Sequence, residues 1–459
     1  MSFSKNMNNL VLLLAAAGAL SAQQLTLPRA VESSLKNYPS IRVSQEQINA
    51  AAAAIRLART AYLPKIDALA QVNRATRNNT FGLLLPQPTG VIPSMSGPVI
   101  GSNNFGTVWG SAIGGLVTWE PFDFGLRDAN VAAANAARVQ SEATVKRTQF
   151  EVAAAAADAY LTLVAAQETV HAAQAGVDGA EVVLKTITAQ VNAELRPGAD
   201  QSRAEAELAA ARTQFIQAEQ AVDISRATLA QFTGGDPSHM DAAPAGLAQL
   251  PADQAPAPLN AAANPMVVEQ NAAVEQAHAQ LRALERTYFP RFYMQGAAYA
   301  RGSGAETNGE RLGGLNGLGP NVQDYALGFT VTFPIMDLAA LRAREAAQNA
   351  TIKSQAARSE QLAVDLRAQW NRAVATLNGA RRIAANTPVQ VSAARTALQQ
   401  ATARYQAGLG NIDEVAESQR LLTQAEIDDA LARLGVWRGL LGIATAAGDI
   451  QPFVAEASR

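Results

Sequence analysis

The sequence predicts a mainly α-helical chain that carries a membrane β-barrel sheet and is built from one unit repeated twice. Three observations predict it. The phrase Tyr62-Leu63-Pro64-Lys65 returns as Tyr288-Phe289-Pro290-Arg291, and a proline precedes each copy at one fixed distance, Pro39 and Pro265. After each copy come an alternating stretch, a glycine-rich stretch, a second alternating stretch and a very long alanine-rich helical run. The composition, with 5% aromatics and no cysteine in 459 residues, suits long, closely packed helices rather than a compact globule. A duplicated unit implies that the two halves do one structural job together.

In the first half, Ile41–Tyr62 reads as a helix ended by Pro64, and Arg127–Asn192 as a proline-free helix of ~100 Å at 1.5 Å per residue. A seven-residue repeat runs through the long helix. Leu163, Val170, Val177, Leu184 and Val191 hold one position, and Ala166, Ala173, Ala180 and Ile187 lie three further on. This is a coiled-coil seam whose alanines let helix axes approach closely. Arg196-Pro197-Gly198 breaks the run, and Asp200–Gln231 returns as a helix before Gly234-Gly235.

The second half repeats the plan with Met266–Tyr288, Leu338–Gln406, a turn at Gly408-Leu409-Gly410, and Asn411–Thr445. Its seam is Trp370, Leu377, Ala384, Val391, Leu398 and Tyr405, with Ala373, Ala380, Ala394 and Ala401 three further on. Pro388 is expected to kink or loosen the long helix. In each half the short and returning helices together approach the length of the long one, so they are expected to stack end to end along it.

The strands carry the membrane signal. Tyr325, Leu327, Phe329, Val331 and Phe333 alternate with Asp324, Ala326, Gly328, Thr330 and Thr332, the pattern of a strand with lipid on one side and water on the other. Arg291–Arg301 alternates less cleanly, with Tyr293 and Tyr299 set against Phe292, Met294 and Gly296. Lys65–Asn73 and Phe105–Trp119 are their counterparts in the first half, with Trp109 and Trp119 as interface aromatics. Four strands cannot close a barrel, and open edges cannot face lipid, so the chain must oligomerise into eight, twelve or sixteen strands.

Five segments follow. Residues 1–22 read as a secretory signal, with Lys5, an apolar Leu10–Ala19 and small residues at Ala19-Leu20-Ser21-Ala22. Residues 23–233 form the first structural repeat, 234–264 an inter-repeat linker, 265–447 the second repeat and 448–459 a mobile C-terminal tail. Asn78–Asn104 and Gly302–Gly319 read as long exposed loops.

The function classes excluded are informative. The 37 basic and 39 acidic residues are mixed along the chain with a net charge of −2, which gives nucleic acid no basic stripe. His171, His239 and His278 have no metal-type spacing, and no nucleophile–base pair or phosphate loop is present, so no catalytic residue, metal or cofactor is expected. Asp413, Glu414 and Glu417 stand just after the second turn. They either complement a helix dipole or, if the turns converge on a tube axis, form a negative constriction that favours cations.

Four further groups of residues resemble the outer-membrane efflux proteins of the TolC type, over about residues 25–448. They are Leu27-Pro28-Arg29-Ala30-Val31 with Leu35, Asn37 and Pro39; the Tyr-Leu-Pro-Lys phrase; Trp119-Glu120-Pro121-Phe122-Asp123-Phe124-Gly125; and Arg404-Tyr405-Gln406-Ala407-Gly408. The resemblance implies a homotrimer with twelve strands in one outer-membrane barrel and a periplasmic helical tunnel tapered shut at its far end. It also implies a periplasmic adaptor (membrane fusion protein) and an inner-membrane pump or transporter as partners, with lipid around the barrel.

By the same resemblance the gate is formed by Glu414, Glu417, Asp413, Tyr405 and Leu409. Gly410 stands where some members carry an arginine, and Ser202 about where the tyrosine's aspartate partner falls, so the closed state is expected to lack one polar link. The tips Arg196, Pro197, Gly198 and Ala199 and Ala407, Gly408, Leu409 and Gly410 are the expected adaptor contacts. The other reading of the residues is a soluble periplasmic coiled-coil scaffold whose sheet packs against a partner.

Overall fold

The computed structural model describes residues 25–76, 106–243, 246–247, 249–306 and 310–458. The expected signal at 1–22 and the first loop at 78–104 lie outside the described residues. In chain order the elements are α1 (Leu27–Asn37), α2 (Pro39–Thr60), β1 (Lys65–Thr76), β2 (Thr107–Phe122), α3 (Leu126–Asn192) and α4 (Gly198–Thr233). The second half supplies α5 (Pro265–Arg286), β3 (Arg291–Ser303), β4 (Val322–Thr332), α6 (Leu338–Gln406), α7 (Ile412–Ala447) and α8 (Gln451–Glu456). Two single-turn 3-10 helices, Pro237–His239 and Ala261–Ala263, lie between α4 and α5. No helix among the described residues is long and apolar enough to cross a membrane.

Contacts divide the chain into two compact units, residues 49–139 with 273–354, and residues 1–48 with 140–272 and 355–459. Helices α2, α3, α5 and α6 each continue from one unit into the other.

The first unit holds an antiparallel sheet of order β1-β2-β3-β4. Residues directly opposite in an antiparallel pair share a face, so the register sorts the side chains. Ile66 faces Val117, Val117 faces Gly296, and Gly296 faces Leu327. The next rows are Ala68, Gly115, Ala298 and Tyr325 on one side, and Trp119, Met294 and Phe329 on the other. One sheet face is therefore apolar across all four strands.

The opposite face carries Asp67, Gln71, Thr118, Gln295, Tyr299 and Asp324, with an Arg301–Asp324 ion pair at 2.9 Å. The uneven alternation of β3 is resolved here, since Phe292 and Met294 join the apolar face while Tyr293 and Tyr299 join the polar one. The register shifts between Trp119 and Phe122 in β2, and Pro121, which has no N–H to give to a ladder, falls within that irregularity.

The repeated phrase has a mechanical role. Pro64 and Pro290 stand immediately before β1 and β3, just past the ends of the short helices. The Tyr62 hydroxyl donates to Asp128 on α3, and the Tyr288 hydroxyl donates to Glu345 on α6 at 2.8 Å. Each copy thus ties the end of a short helix to the start of a long one. Around this junction Phe124 stacks on Phe289 at 5.2 Å and meets Phe122 edge-on at 4.6 Å, while Phe292 reaches Phe329 at 5.9 Å.

The second unit is helical, and its seam follows the heptad reading. Leu163, Ala166, Ala173, Val177, Ala180 and Ile187 are buried in α3, as are Leu377, Ala384, Ala394, Ala401 and Tyr405 in α6. Helix α6 runs through Pro388 without a break. Thr387, which is buried, donates to Asp429 of α7 at 2.6 Å, so a tertiary contact holds the helix where its backbone hydrogen bond is lost.

The expectation of a mobile tail is corrected here. The tail is not loose: α8 packs Phe453 edge-on to Trp437 at 6.3 Å, and Ile450, Phe453, Val454 and Ala457 are buried. Their i, i+3, i+4, i+7 spacing is a helical apolar face that was readable in the sequence. Helix α1 falls where the sequence reading assigns no element, and its Leu27, Ala30, Val31 and Ser34 are buried.

The segment after α4 is a packed strap. Leu25 bridges Ala242 in parallel, and Met240, Ala242 and Leu247 enter the core. The Tyr160 hydroxyl lies 2.9 Å from the Leu25 carbonyl and 2.7 Å from that of Ala243. Burial pushes its pKa up to about 12. Trp437 Nε1 donates to the Gln249 carbonyl at 3.1 Å, and Asn264 Nδ2 to that of Ala446 at 3.0 Å. The second loop also begins packed, with Gly304 N donating to the Trp109 carbonyl at 2.8 Å.

Close approach of α6 and α7 depends on Gly439, where an added Cβ would sit 2.8 Å from the Leu377 backbone. Gly435 on the same helix leaves 3.8 Å to Ala380. Gly439→Ala is expected to destabilise the protein by about 1–3 kcal/mol through overpacking. Gly435→Ala should be neutral or stabilise by up to about 1 kcal/mol through helix propensity. Equilibrium denaturation of the detergent-solubilised protein checks both, and equal effects would contradict the packing account.

Candidate functional site

The two helical turns are built alike. Val191-Asn192-Ala193-Glu194-Leu195 joins α3 to α4, and Tyr405-Gln406-Ala407-Gly408-Leu409 joins α6 to α7. Leu195 N donates to the Gln190 carbonyl and Leu409 N to that of Arg404, both at 2.9 Å. The left-handed position is Gly408 (φ +74°) in one turn and Glu194 (φ +58°) in the other, where a side chain is unfavourable. Leu195 and Leu409 thus hold matching places, and both are about three-quarters exposed, at 73% and 75%. Leu195 lies outside the tip residues expected from the sequence; the hydrogen-bond pattern that the two turns share marks it.

Tyr405 ends the α6 seam and is buried with Ile187, Ala204, Ala401, Ile412 and Val415. The Arg196 guanidinium lies over its ring at 4.3 Å and donates to its carbonyl at 2.6 Å. The Tyr405 hydroxyl donates to Asp200 at 3.3 Å. Burial first, and then the Asp200 carboxylate, push the phenol above its ordinary pKa, with Arg196 opposing. The tyrosine therefore has a carboxylate partner, Asp200, two residues before the expected Ser202, and the polar link is not missing.

The acidic residues are each paired. Asn411 caps α7 by accepting from Glu414 N at 2.9 Å, and Asp413 and Glu414 stand in the first turn, where the helix dipole favours them. Arg203 reaches Asp413 at 2.7 Å, Arg420 reaches Glu417 at 2.7 Å and Glu207 at 3.8 Å, and Arg404 lies 3.9 Å from Glu414. All of these side chains are at least one-third exposed, so each pair contributes little to stability, about 0–1 kcal/mol. What the cluster supplies is a local field. Beside it lies an open groove of about 440 Å³ between α3, α4 and α7, with Gly176, Gln214, Val415, Glu417 and Arg420 among its walls.

At the sheet, Tyr325, Leu327, Phe329 and Val331 lie on the apolar face as expected from alternation, and Phe333 lies just past the end of β4. Tyr325 and Leu327 are 84% and 77% exposed, the signature of a surface that water is not meant to cover. Among the described residues no cluster of three or more His, Asp or Glu side chains is placed to hold a metal ion.

A family model described as "Outer membrane efflux protein" matches residues 30–235 and 259–449. Among solved structures the chain is similar to the outer-membrane channel OprN, with 19% identity and a TM-score of 0.69 over 92% of this chain and 89% of that one. It is similar to the outer membrane protein VceC of Vibrio cholerae, with 16% identity and a TM-score of 0.68 over 92% and 96%. It is also similar to the open-state MtrE outer membrane channel of Neisseria gonorrhoeae, with 19% identity and a TM-score of 0.70 over 92% and 89%. At such identities the likeness is one of fold. No curated protein matches the sequence. A family match that spans both halves, on an apolar-faced sheet joined to long helices, makes this chain a member of the outer membrane efflux protein family, channel proteins of the outer membrane whose helices lie on the periplasmic side.

Proposed function

We propose that the chain is the outer-membrane duct of a tripartite efflux or type I secretion system, a passive conduit gated at its periplasmic end. In this reading two structural repeats, 23–233 and 265–447, are joined by the strap at 234–264. Three copies contribute four strands each to one closed barrel. The observation that carries the reading is the apolar sheet face, continuous over four strands, with β1 and β4 left as unpaired edges within the chain. An edge in hydrocarbon costs several kcal/mol per unpaired group, so copies must close on one another.

Supporting the gate assignment, Tyr405 is locked between Arg196 and Asp200 beside the acidic cluster of Asp413, Glu414 and Glu417. Supporting adaptor docking, the tips at 196–199 and 407–410 carry Leu409 exposed in one turn and Leu195 exposed just before the other. The adaptor would be a periplasmic membrane fusion protein working with an inner-membrane pump or transporter.

Leu327→Arg is expected to block assembly, at roughly 2–4 kcal/mol per chain near the midplane. Membrane fractionation with heated and unheated gels checks it: the wild type should give a heat-dissociable oligomer in the outer membrane and the variant should not. Normal assembly of the variant would return the soluble scaffold reading.

Tyr405→Phe removes the bond to Asp200 but keeps the ring, and is expected to lower the closing free energy by about 1 kcal/mol. That corresponds to a several-fold rise in open probability in planar bilayers. Glu414→Gln with Glu417→Gln is expected to reduce cation preference in the same recordings. Unchanged selectivity would leave these acids as helix-start residues only.

A further inference from the structure

The apolar sheet face is not smooth. Gly296 sits between Val117 and Leu327 in one row of the register, and Trp119 and Met294 fill the row beside it. With Pro64 these residues wall a groove of about 560 Å³. That volume falls within the ~300–1,000 Å³ of small-molecule sites, yet every wall is apolar and no charged or hydrogen-bonding side chain converges on it other than the indole. Trp119 Nε1 is already engaged, donating to the Tyr62 carbonyl at 3.1 Å. An occupant of this groove must therefore be recognised by hydrocarbon contact.

Its position narrows the occupant. The groove lies on the face that continues the lipid-facing surface. It stands at the strand ends that adjoin the helices, where β1 starts just after Pro64. Tryptophan favours the headgroup level, so a chain entering beside Trp119 and running toward Leu327 passes from headgroup to hydrocarbon. The dent exists because residue 296 has no side chain; a Cβ there would stand 3.3 Å from Leu327 Cδ2.

We propose that this groove holds one acyl chain of a glycerophospholipid of the periplasmic leaflet. The inference rests on the membrane reading above. The lipid seals the hollow that Gly296 leaves between β2, β3 and β4, and its headgroup lies level with Trp119.

The test uses the full chain, extracted from outer membranes in mild detergent and studied by native mass spectrometry with added palmitoyl-oleoyl phosphatidylethanolamine. The wild-type oligomer is expected to retain one phospholipid per chain. Gly296→Leu fills the groove with a side chain that suits a lipid-facing strand, so assembly is kept while lipid retention falls about tenfold, the equivalent of about two lost methylene contacts. Ala300→Leu, on the same face two rows away, should leave retention unchanged. Phosphatidylglycerol with the same chains should be retained equally, since the walls carry no charge.

If Gly296→Leu assembles poorly, Leu327→Ala removes one wall while staying apolar and should lower retention several-fold. Full retention in the groove variants, an equal loss in Ala300→Leu, or a headgroup preference overturns the proposal alone. A wild type that never forms the heat-dissociable outer-membrane oligomer overturns the membrane reading and this proposal with it.

Discussion

A sheet in hydrocarbon must pair every backbone N–H and C=O, and the rest of this protein is arranged around that constraint. Within one chain β2 and β3 are paired on both sides and β1 and β4 on one. The apolar face has value only if the strands lie in lipid, and the strands lie in lipid only if the edges are closed. In the proposed duct, oligomerisation is thus a condition of the fold's stability in the membrane, not an addition to it. The prolines before β1 and β3, the irregularity at Pro121 and the phenylalanines around Phe124 all sit where paired strands give way to helices. They manage the passage from a lipid solvent to an aqueous one.

The helical part meets a different difficulty. Its long helices are rich in alanine, whose burial contributes little per residue, so packing must come from close approach and from a few polar ties. Gly439 against Leu377 is the first kind. Tyrosines supply the second. Tyr62, Tyr288, Tyr160 and Tyr405 each bury or pack a ring and place the hydroxyl on a carboxylate or backbone carbonyl of a distant segment. One side chain thereby joins apolar area to a directional bond. The strap between α4 and α5 is held in the same way, through Tyr160, Trp437 and Asn264.

At the tips the two turns share geometry and differ in chemistry. One has glycine where the backbone is left-handed and the other has Glu194. The acids that follow the second turn serve the helix dipole and also face Arg203, Arg404 and Arg420. Exposed pairs of this kind are weak and salt-sensitive. Such pairs can shift charge without unfolding anything, whereas the half-buried Arg196–Tyr405–Asp200 arrangement is tied to the helical core through the buried Tyr405 ring.

The sequence by itself determined the duplication, the limits of the short, long and returning helices of each repeat to within a few residues, the seam and the two-faced alternation of β4. Each depends on local periodicity, which a linear chain displays. Local chemistry also sufficed for the turn glycine Gly408 and the acids after it. What only the tertiary structure decided depends on partners far apart in sequence. The faces of β3 are ambiguous from the sequence, and its register with β2 and β4 places Met294 on the apolar face and Tyr299 on the polar one. Asp200 rather than Ser202 meets Tyr405 because the geometry of the first turn sets the phase of α4. Pro388 is tolerated because Thr387 finds Asp429 on another helix, and the tail is ordered because Trp437 offers Phe453 a surface. Periodicity tells which face of an element is buried; only packing tells against what.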